Sequence, residues 1–268
     1  MHAKERAIAP ALARIGIEVV VPCGFDTDRF GTFTGDIPRA GTMVEAARAK
    51  AREAARALKL PVGVASEGAY GPHPAIPWVP LGRELLLWHE VETGRDVVEM
   101  TVDEEPAWAS AEVSHAIEVE ALLQSVGFPA TAVVVAPADA PARPVAKGVT
   151  DRACLADAIA AAVGRSSVGR ALVAADMRAH LNPRRMQVIA RLAADFARRL
   201  ATPCPACSAP GFGMVEALAG LPCAACGTPT ALMRAARHAC TACGHSEERP
   251  RAEGPRAADP AHCPLCNP

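Results

Sequence analysis

The sequence predicts an α/β fold, a mixed central sheet flanked by helices, followed by a small cysteine-rich C-terminal module. Three observations carry this reading. Helix and strand patterns alternate over residues 1–200. From residue 201 the periodicity stops, and Cys, Pro, Gly and Ala dominate. Eight of the ten cysteines fall in that second region, as four CxxC pairs. With 268 residues, half of them hydrophobic, the first region has ample material for a core.

The elements follow in order. A helix is expected over roughly 4–14, then a strand at Ile17-Glu-Val-Val-Val21. A polar loop covers 22–42, and a helix follows over about 43–59. The short strand Val62-Gly-Val-Ala65 leads into an expected turn, Glu67-Gly-Ala-Tyr-Gly71. Glu84 to Glu90 and Val97 to Val102, joined through Glu92-Thr-Gly94, read as an antiparallel hairpin. A helix near 114–126 feeds a strand from Thr131 to Ala136, and Asp151 caps a helix running to about 163. A strand from Ala171 to Ala175 precedes the last helix. That helix opens on Asn182-Pro183 and carries Met186, Ile189, Leu192, Ala193, Phe196 and Leu200 on one stripe.

The pairs Cys204/Cys207, Cys223/Cys226, Cys240/Cys243 and Cys263/Cys266 supply eight thiolates within 63 residues (204–266). A CxxC turn gives two ligands, and four thiolates complete a tetrahedral zinc site, so two structural Zn²⁺ ions are expected. Iron–sulfur ligation is the other chemistry this spacing serves. Sequential pairing is expected because its loops are shorter, with Cys204, Cys207, Cys223 and Cys226 on one ion and Cys240, Cys243, Cys263 and Cys266 on the other. A cross-braced arrangement is the alternative. His238, His245 and His262 flank the pairs, but eight cysteines already fill two sites.

Charge narrows the partners. The chain carries a formal net charge of -1, which gives no global field for nucleic acid or anionic membrane. From residue 201 there are five arginines, no lysine, five acids and one aromatic, Phe212. That composition argues against nucleic acid and for a folding staple or protein-contact module. The N-terminus shows no apolar leader, and stretches such as Ala130 to Ala138 fall far short of the ~20 residues of a membrane helix. A cytoplasmic location is therefore expected, where thiols stay reduced.

Three polar clusters could carry chemistry in the first region. The loop Gly24-Phe-Asp-Thr-Asp-Arg-Phe-Gly-Thr-Phe-Thr-Gly35 holds Asp26 and Asp28 between glycines. Ser66-Glu67-Gly68 ends an apolar strand, where open α/β sheets place ligands. Asp176-Met-Arg-Ala-His-Leu-Asn-Pro-Arg-Arg185 offers Arg178, His180 and Arg185 near a helix N-terminus. Neither a P-loop nor a dinucleotide fingerprint is present.

On His2-Ala-Lys4-Glu5, the Gly24–Gly35 loop, Ala65-Ser-Glu-Gly68, Asp176 to Pro183 and the four cysteine pairs, the chain resembles an uncharacterised bacterial domain-of-unknown-function family. Its members join an α/β domain to a cysteine-rich zinc-ribbon tail, and the family implies no activity. Glu45-Ala-Ala-Arg-Ala-Lys50-Ala51 and Leu60 to Gly68 also resemble, faintly, the inosine-triphosphate pyrophosphatase and Maf-like fold. In that fold the first strand would precede residue 1, with His2 and Lys4 as remains of its first turn.

The second resemblance implies a Mg²⁺-dependent nucleotide pyrophosphatase-like hydrolase. Asp26, Asp28, Glu45 and Glu67 would be its metal or base groups, and Lys4, Arg178, His180 and Arg185 would contact phosphate. The alternative is a non-enzymatic zinc-ribbon protein that binds a small anionic ligand or a protein partner.

Overall fold

The computed structural model describes residues 3–24, 41–251 and 253–268. Among these residues lie five α-helices: α1 (Glu5–Ala13), α2 (Met43–Leu58), α3 (Glu120–Val126), α4 (Arg152–Arg165) and α5 (Pro183–Leu200). The strands are β1 (Val62–Pro72), β2 (Pro80–Glu90), β3 (Asp96–Asp103), β4 (Ser110–Val113), β5 (Val133–Pro137), β6 (Ala146–Val149), β7 (Ala171–Ala175), β8 (Gly213–Ala219), β9 (Met233–Ala239) and β10 (Ser246–Pro250). Two compact units result, 1–197 and 198–268. No described helix is long and apolar enough to cross a membrane.

The first unit is a mixture of helix and sheet, as the alternating pattern predicts. Its strands, however, form two antiparallel sheets rather than one: β1-β2-β3 and β4-β7-β5-β6. The connections explain this. The hairpin β1–β2–β3 closes on itself through short turns, so nothing in it requires the long crossover of a parallel pair.

In the first sheet, α2 lays Ala47 and Ala51 on Ala65, Leu85 and Leu87. Small side chains let helix and strand approach closely. A Cβ placed on Gly63 would lie 1.9 Å from the Ala51 carbonyl oxygen, so glycine is demanded there by contact rather than by torsion. Arg48 of α2 also bonds Asp96 of β3 (2.5 Å), and Asp96 holds the buried His89 (2.8 Å). In the second sheet, Val133, Val135, Ala171, Val173 and Ala175 share a core with Leu122 and Leu123 of α3 and Leu155, Ile159 and Ala162 of α4.

Helix caps follow the sequence closely. Thr42 and Glu45 make a reciprocal capping box at α2. Asp151 accepts from Cys154 N–H (2.9 Å), and Asn182 from Arg185 N–H (3.0 Å). Ile189, Leu192, Ala193, Phe196 and Leu200 are buried along α5.

Two expectations change. Ile17–Val21 forms no strand, because this apolar stretch finds no ladder partner among the described residues, and Val20 and Val21 are exposed. Glu67–Gly71 is no turn but the second half of β1, paired with Leu81 to Leu85 of β2.

Gly63→Ala should destabilise the protein by about 1–3 kcal/mol, the usual cost of forcing an extra carbon into a tight contact. Equilibrium denaturation with urea reads this directly. A variant as stable as wild type would contradict the close approach of α2 and β1.

Candidate metal centres and a buried charge cluster

The second unit is a three-stranded antiparallel sheet, β10-β9-β8, with a CxxC knuckle at each turn. Each knuckle folds alike. The first cysteine's carbonyl accepts from the N–H four residues on: Ser208 (2.9 Å), Gly227 (2.9 Å), Gly244 (3.0 Å) and Asn267 (2.9 Å). Gly227 and Gly244 take the positive φ (76° and 74°) that closes such a turn, and Ser208 takes it at 62° without being glycine. In three knuckles a backbone N–H also points at the first sulfur: Ala206, Ala225 and Ala242, each at 3.4 Å.

The four knuckles form two four-cysteine groups: Cys204, Cys207, Cys240 and Cys243, and Cys223, Cys226, Cys263 and Cys266. This is the cross-braced arrangement, and it corrects the sequential pairing expected from loop length. Strand register decides it. Gly213 at the start of β8 pairs Ala239 at the end of β9, which brings the first knuckle beside the third. The far ends of these strands carry the second knuckle, and the chain after β10 returns there, where Cys223 bridges Ala258 and the fourth knuckle arrives. Closing 32 intervening residues (208–239) rather than 15 (208–222) costs only about 0.6 kcal/mol more. The sheet easily outweighs that.

Sulfur geometry fits zinc. A tetrahedron with Zn–S near 2.3 Å separates its sulfurs by about 3.8 Å. The facing sulfurs here stand 3.8 Å (Cys204–Cys243), 3.7 Å (Cys207–Cys240), 3.9 Å (Cys223–Cys266) and 3.6 Å (Cys226–Cys263) apart. All eight cysteines are ligand candidates, and no histidine joins either group among the described residues. His238 and His245 instead lie by the Phe212 ring, at 6.0 and 5.9 Å between centroids. The Arg249 guanidinium sits 5.4 Å from that ring.

In the first unit the residues expected to be catalytic go to different places. Asp26 and Asp28 lie outside the described residues. Glu45 is held by the α2 cap, where Thr42 keeps its carboxyl below the ordinary range. Glu67 ion-pairs with Lys50 of α2. Among the described residues no group of three acids or histidines is close enough to share a cation, so Mg²⁺ finds no support there. Of the phosphate candidates, Arg178 grips the buried Asp176 at 2.6 Å. His180 is exposed, and partial burial followed by Arg178 lowers its pKa.

Lys4 and Arg185 do meet a common cluster. Lys4 Nζ donates to Ser66 Oγ (3.1 Å) and Ser66 O (3.5 Å). Arg185 Nε donates to Glu84 Oε1 (2.5 Å), which also accepts from Tyr70 O–H (2.8 Å). Arg185 Nη1 reaches the Met177 carbonyl. Glu84 and Arg185 are 0% and 1% exposed. Burial, followed by the charge of Glu84, pushes the Tyr70 phenol well above its ordinary range. Sequence reasoning missed Glu84, Tyr70 and Lys50. A carboxylate set before Leu85-Leu86-Leu87 was the one available signal for a buried charge.

Glu84→Ala should cost about 3–5 kcal/mol, because Arg185 would be left buried without its carboxylate; a loss below about 1 kcal/mol in chemical denaturation would refute the pair's role. Native mass spectrometry tests the cysteine pairing. The double variant Cys207→Ser/Cys243→Ser should keep one zinc, and Cys207→Ser/Cys226→Ser should keep none. Sequential pairing would give the reverse.

Comparison with known proteins gives one clear result. No curated protein and no solved structure matches the chain, and the pyrophosphatase and Maf-like resemblance gains no support. The family model of a domain of unknown function, DUF6671, matches residues 50–268, from α2 through both four-cysteine groups. The chain belongs to that family.

Proposed function

We propose that this chain is a zinc-binding interaction protein, in which two structural zinc ions hold the C-terminal ribbon in shape for a protein partner. The observation that carries this is the pair of closed four-cysteine groups at opposite ends of one small sheet. Four thiolates fill a tetrahedral ion, leaving no position for water or substrate, so the metal's role is structural. Between the ions runs β8, an edge strand with Met214 and Val215 exposed at 43% and 50%. An open strand edge with apolar side chains accepts an extended peptide by strand addition. Reduced thiolates of this kind suit a cytoplasmic setting.

Mg²⁺-dependent phosphoanhydride hydrolysis is the weaker reading. Glu45 serves a helix cap, while Glu67 and Glu84 are already matched by Lys50 and Arg185. A small anionic ligand near Lys4 fits the interaction protein as well as it fits the enzyme.

Metal removal tests the proposal. Metal analysis of the reduced protein should find about two zinc per chain, with apparent binding energy of roughly 10–16 kcal/mol per site. A strong chelator should then abolish the amide protection of β8–β10 in hydrogen exchange, and protection of β1–β3 should persist. Full protection of β8–β10 without metal would defeat the structural role. A nucleoside triphosphate panel with Mg²⁺ should release no phosphate above a no-protein control.

A further inference from the structure

One polar group of the first unit that the zinc reading leaves unused is Ser66 with Lys4. We propose that these two residues form a nucleophile–base pair that performs acyl transfer on carboxylic esters. The β1–β2 ladder fixes the nucleophile. Val91 N–H donates to Pro61 O (2.9 Å) beyond one end of β1, and His73 N–H donates to Val79 O (2.7 Å) beyond the other. Both are bonded pairs of the β1–β2 register, so the odd-numbered residues of β1 point their peptide groups at β2. Ser66, opposite Leu86, is a non-bonded pair. Its N–H and C=O both point away from β2, and among the described residues β1 is the sheet's edge. Lys4 Nζ sits on that edge, 3.5 Å from the Ser66 carbonyl and 3.1 Å from its hydroxyl.

The base is fixed from its own side. The Lys4 carbonyl accepts from Ala7 N–H (3.0 Å) and Ile8 N–H (3.1 Å), so the first turn of α1 sets where the side chain begins. Burial, followed by the positive charge of Arg185, lowers the Lys4 pKa to about 8; Lys50 adds to this, and Glu84 and Glu67 oppose it. A useful fraction of the amine is therefore neutral near neutral pH, and only a neutral amine can take a proton. Both residues are half-buried.

The step balances within the pair. Ser66 Oγ bonds to the ester carbonyl carbon while Lys4 Nζ takes the hydroxyl proton, and the carbonyl π electrons move onto its oxygen. The Ser66 N–H, directed at the same edge, donates to that oxyanion. Collapse breaks the bond to the alkoxide, which leaves with the proton from Lys4. Water then cleaves the acyl-serine with Lys4 as base, and Ser66 regains its proton.

The test treats the full zinc-loaded chain with a fluorophosphonate and locates the adduct by peptide mass spectrometry. Ser66 should be labelled, and the rate should rise about tenfold between pH 7 and 9 as an amine with pKa about 8 loses its proton. p-Nitrophenyl acetate should give a burst of about one equivalent of nitrophenolate per chain. Ser66→Ala should abolish both signals. Lys4→Met and Lys4→Arg, checked for wild-type circular dichroism, should slow labelling about 10²-fold or more. Absence of a Ser66 adduct in folded wild type at pH 9 would overturn the proposal. So would a pH-independent rate, or labelling unchanged in both Lys4 variants.

Discussion

One buried guanidinium organises the first unit. Arg185 leaves the first turn of α5, which Asn182 caps, and meets Glu84 of β2 on one side and the Met177 carbonyl just after β7 on the other. Both sheets thus share one cation. Burying two opposite charges costs several kcal/mol per ion, offset here by the bonds that Glu84 Oε1 and the Met177 carbonyl accept, while Glu84 Oε2 finds no hydrogen-bond partner among the described residues. The neighbours are shaped around this pair. Gly68 lies opposite Glu84 in the register, and a Cβ there would fall 2.6 Å from Arg185 Nη2. Tyr70 gives its hydroxyl to Glu84, and its ring lies 5.3 Å from the Arg185 guanidinium carbon. Gly82 in turn leaves room for that ring, since a Cβ there would lie 2.4 Å from it. Gly68, Tyr70 and Gly82 of this hairpin are consequences of one ion pair.

The same pair reaches the edge of β1. Arg185 is the largest of the charges acting on Lys4, and it acts against the lysine's own charge. Lys4, which a resemblance to phosphohydrolases cast as an anion ligand, therefore stands among cations already satisfied by Glu84 and Glu67 and faces a hydroxyl instead. Position in a charge network, more than residue type, fixes what such a lysine can do.

What the sequence discloses follows the range of the interactions involved. Helix α5 was legible because its cap and its apolar stripe are local. The capping box of α2 is equally local, Thr42 and Glu45 being three residues apart, although the resemblance cast Glu45 as a metal ligand. The end of β1 was not legible. Glu67-Gly-Ala-Tyr-Gly71 has the composition of a turn, yet its residues serve a strand through contacts with α2, β2 and α5. Ile17–Val21 shows the converse, β-rich composition without a neighbouring strand among the described residues. Glu84 and Arg185 are 101 residues apart in the chain, and no spacing rule joins them. The cysteines divide along the same line. Their identity as ligands is written in a three-residue step, their pairing in the register of strands far apart in the chain.

That register gives the tail a property neither ion would give alone. Apart from Phe212 and Leu221 the ribbon buries little that is large and apolar among its described residues, and its cross-strand pairs Arg237–Glu216 and Arg234–Glu248 are half-exposed. Exposed pairs of this kind contribute about 0–1 kcal/mol each. Metal held by the two four-cysteine groups would therefore supply most of the tail's stability, and their cross-braced placement would distribute it to both ends of the sheet. Sequential pairing would clip neighbouring knuckles and leave the strands free to slip, whereas an ion in each cross-braced group would fix one end of the register. β8 runs between the two four-cysteine groups as an edge strand among the described residues, with register shifts between Met214 and Glu216 and between Leu218 and Ala219. Pinned at both ends by metal, such a strand would have less to order on pairing with an extended peptide, the contact proposed for this edge.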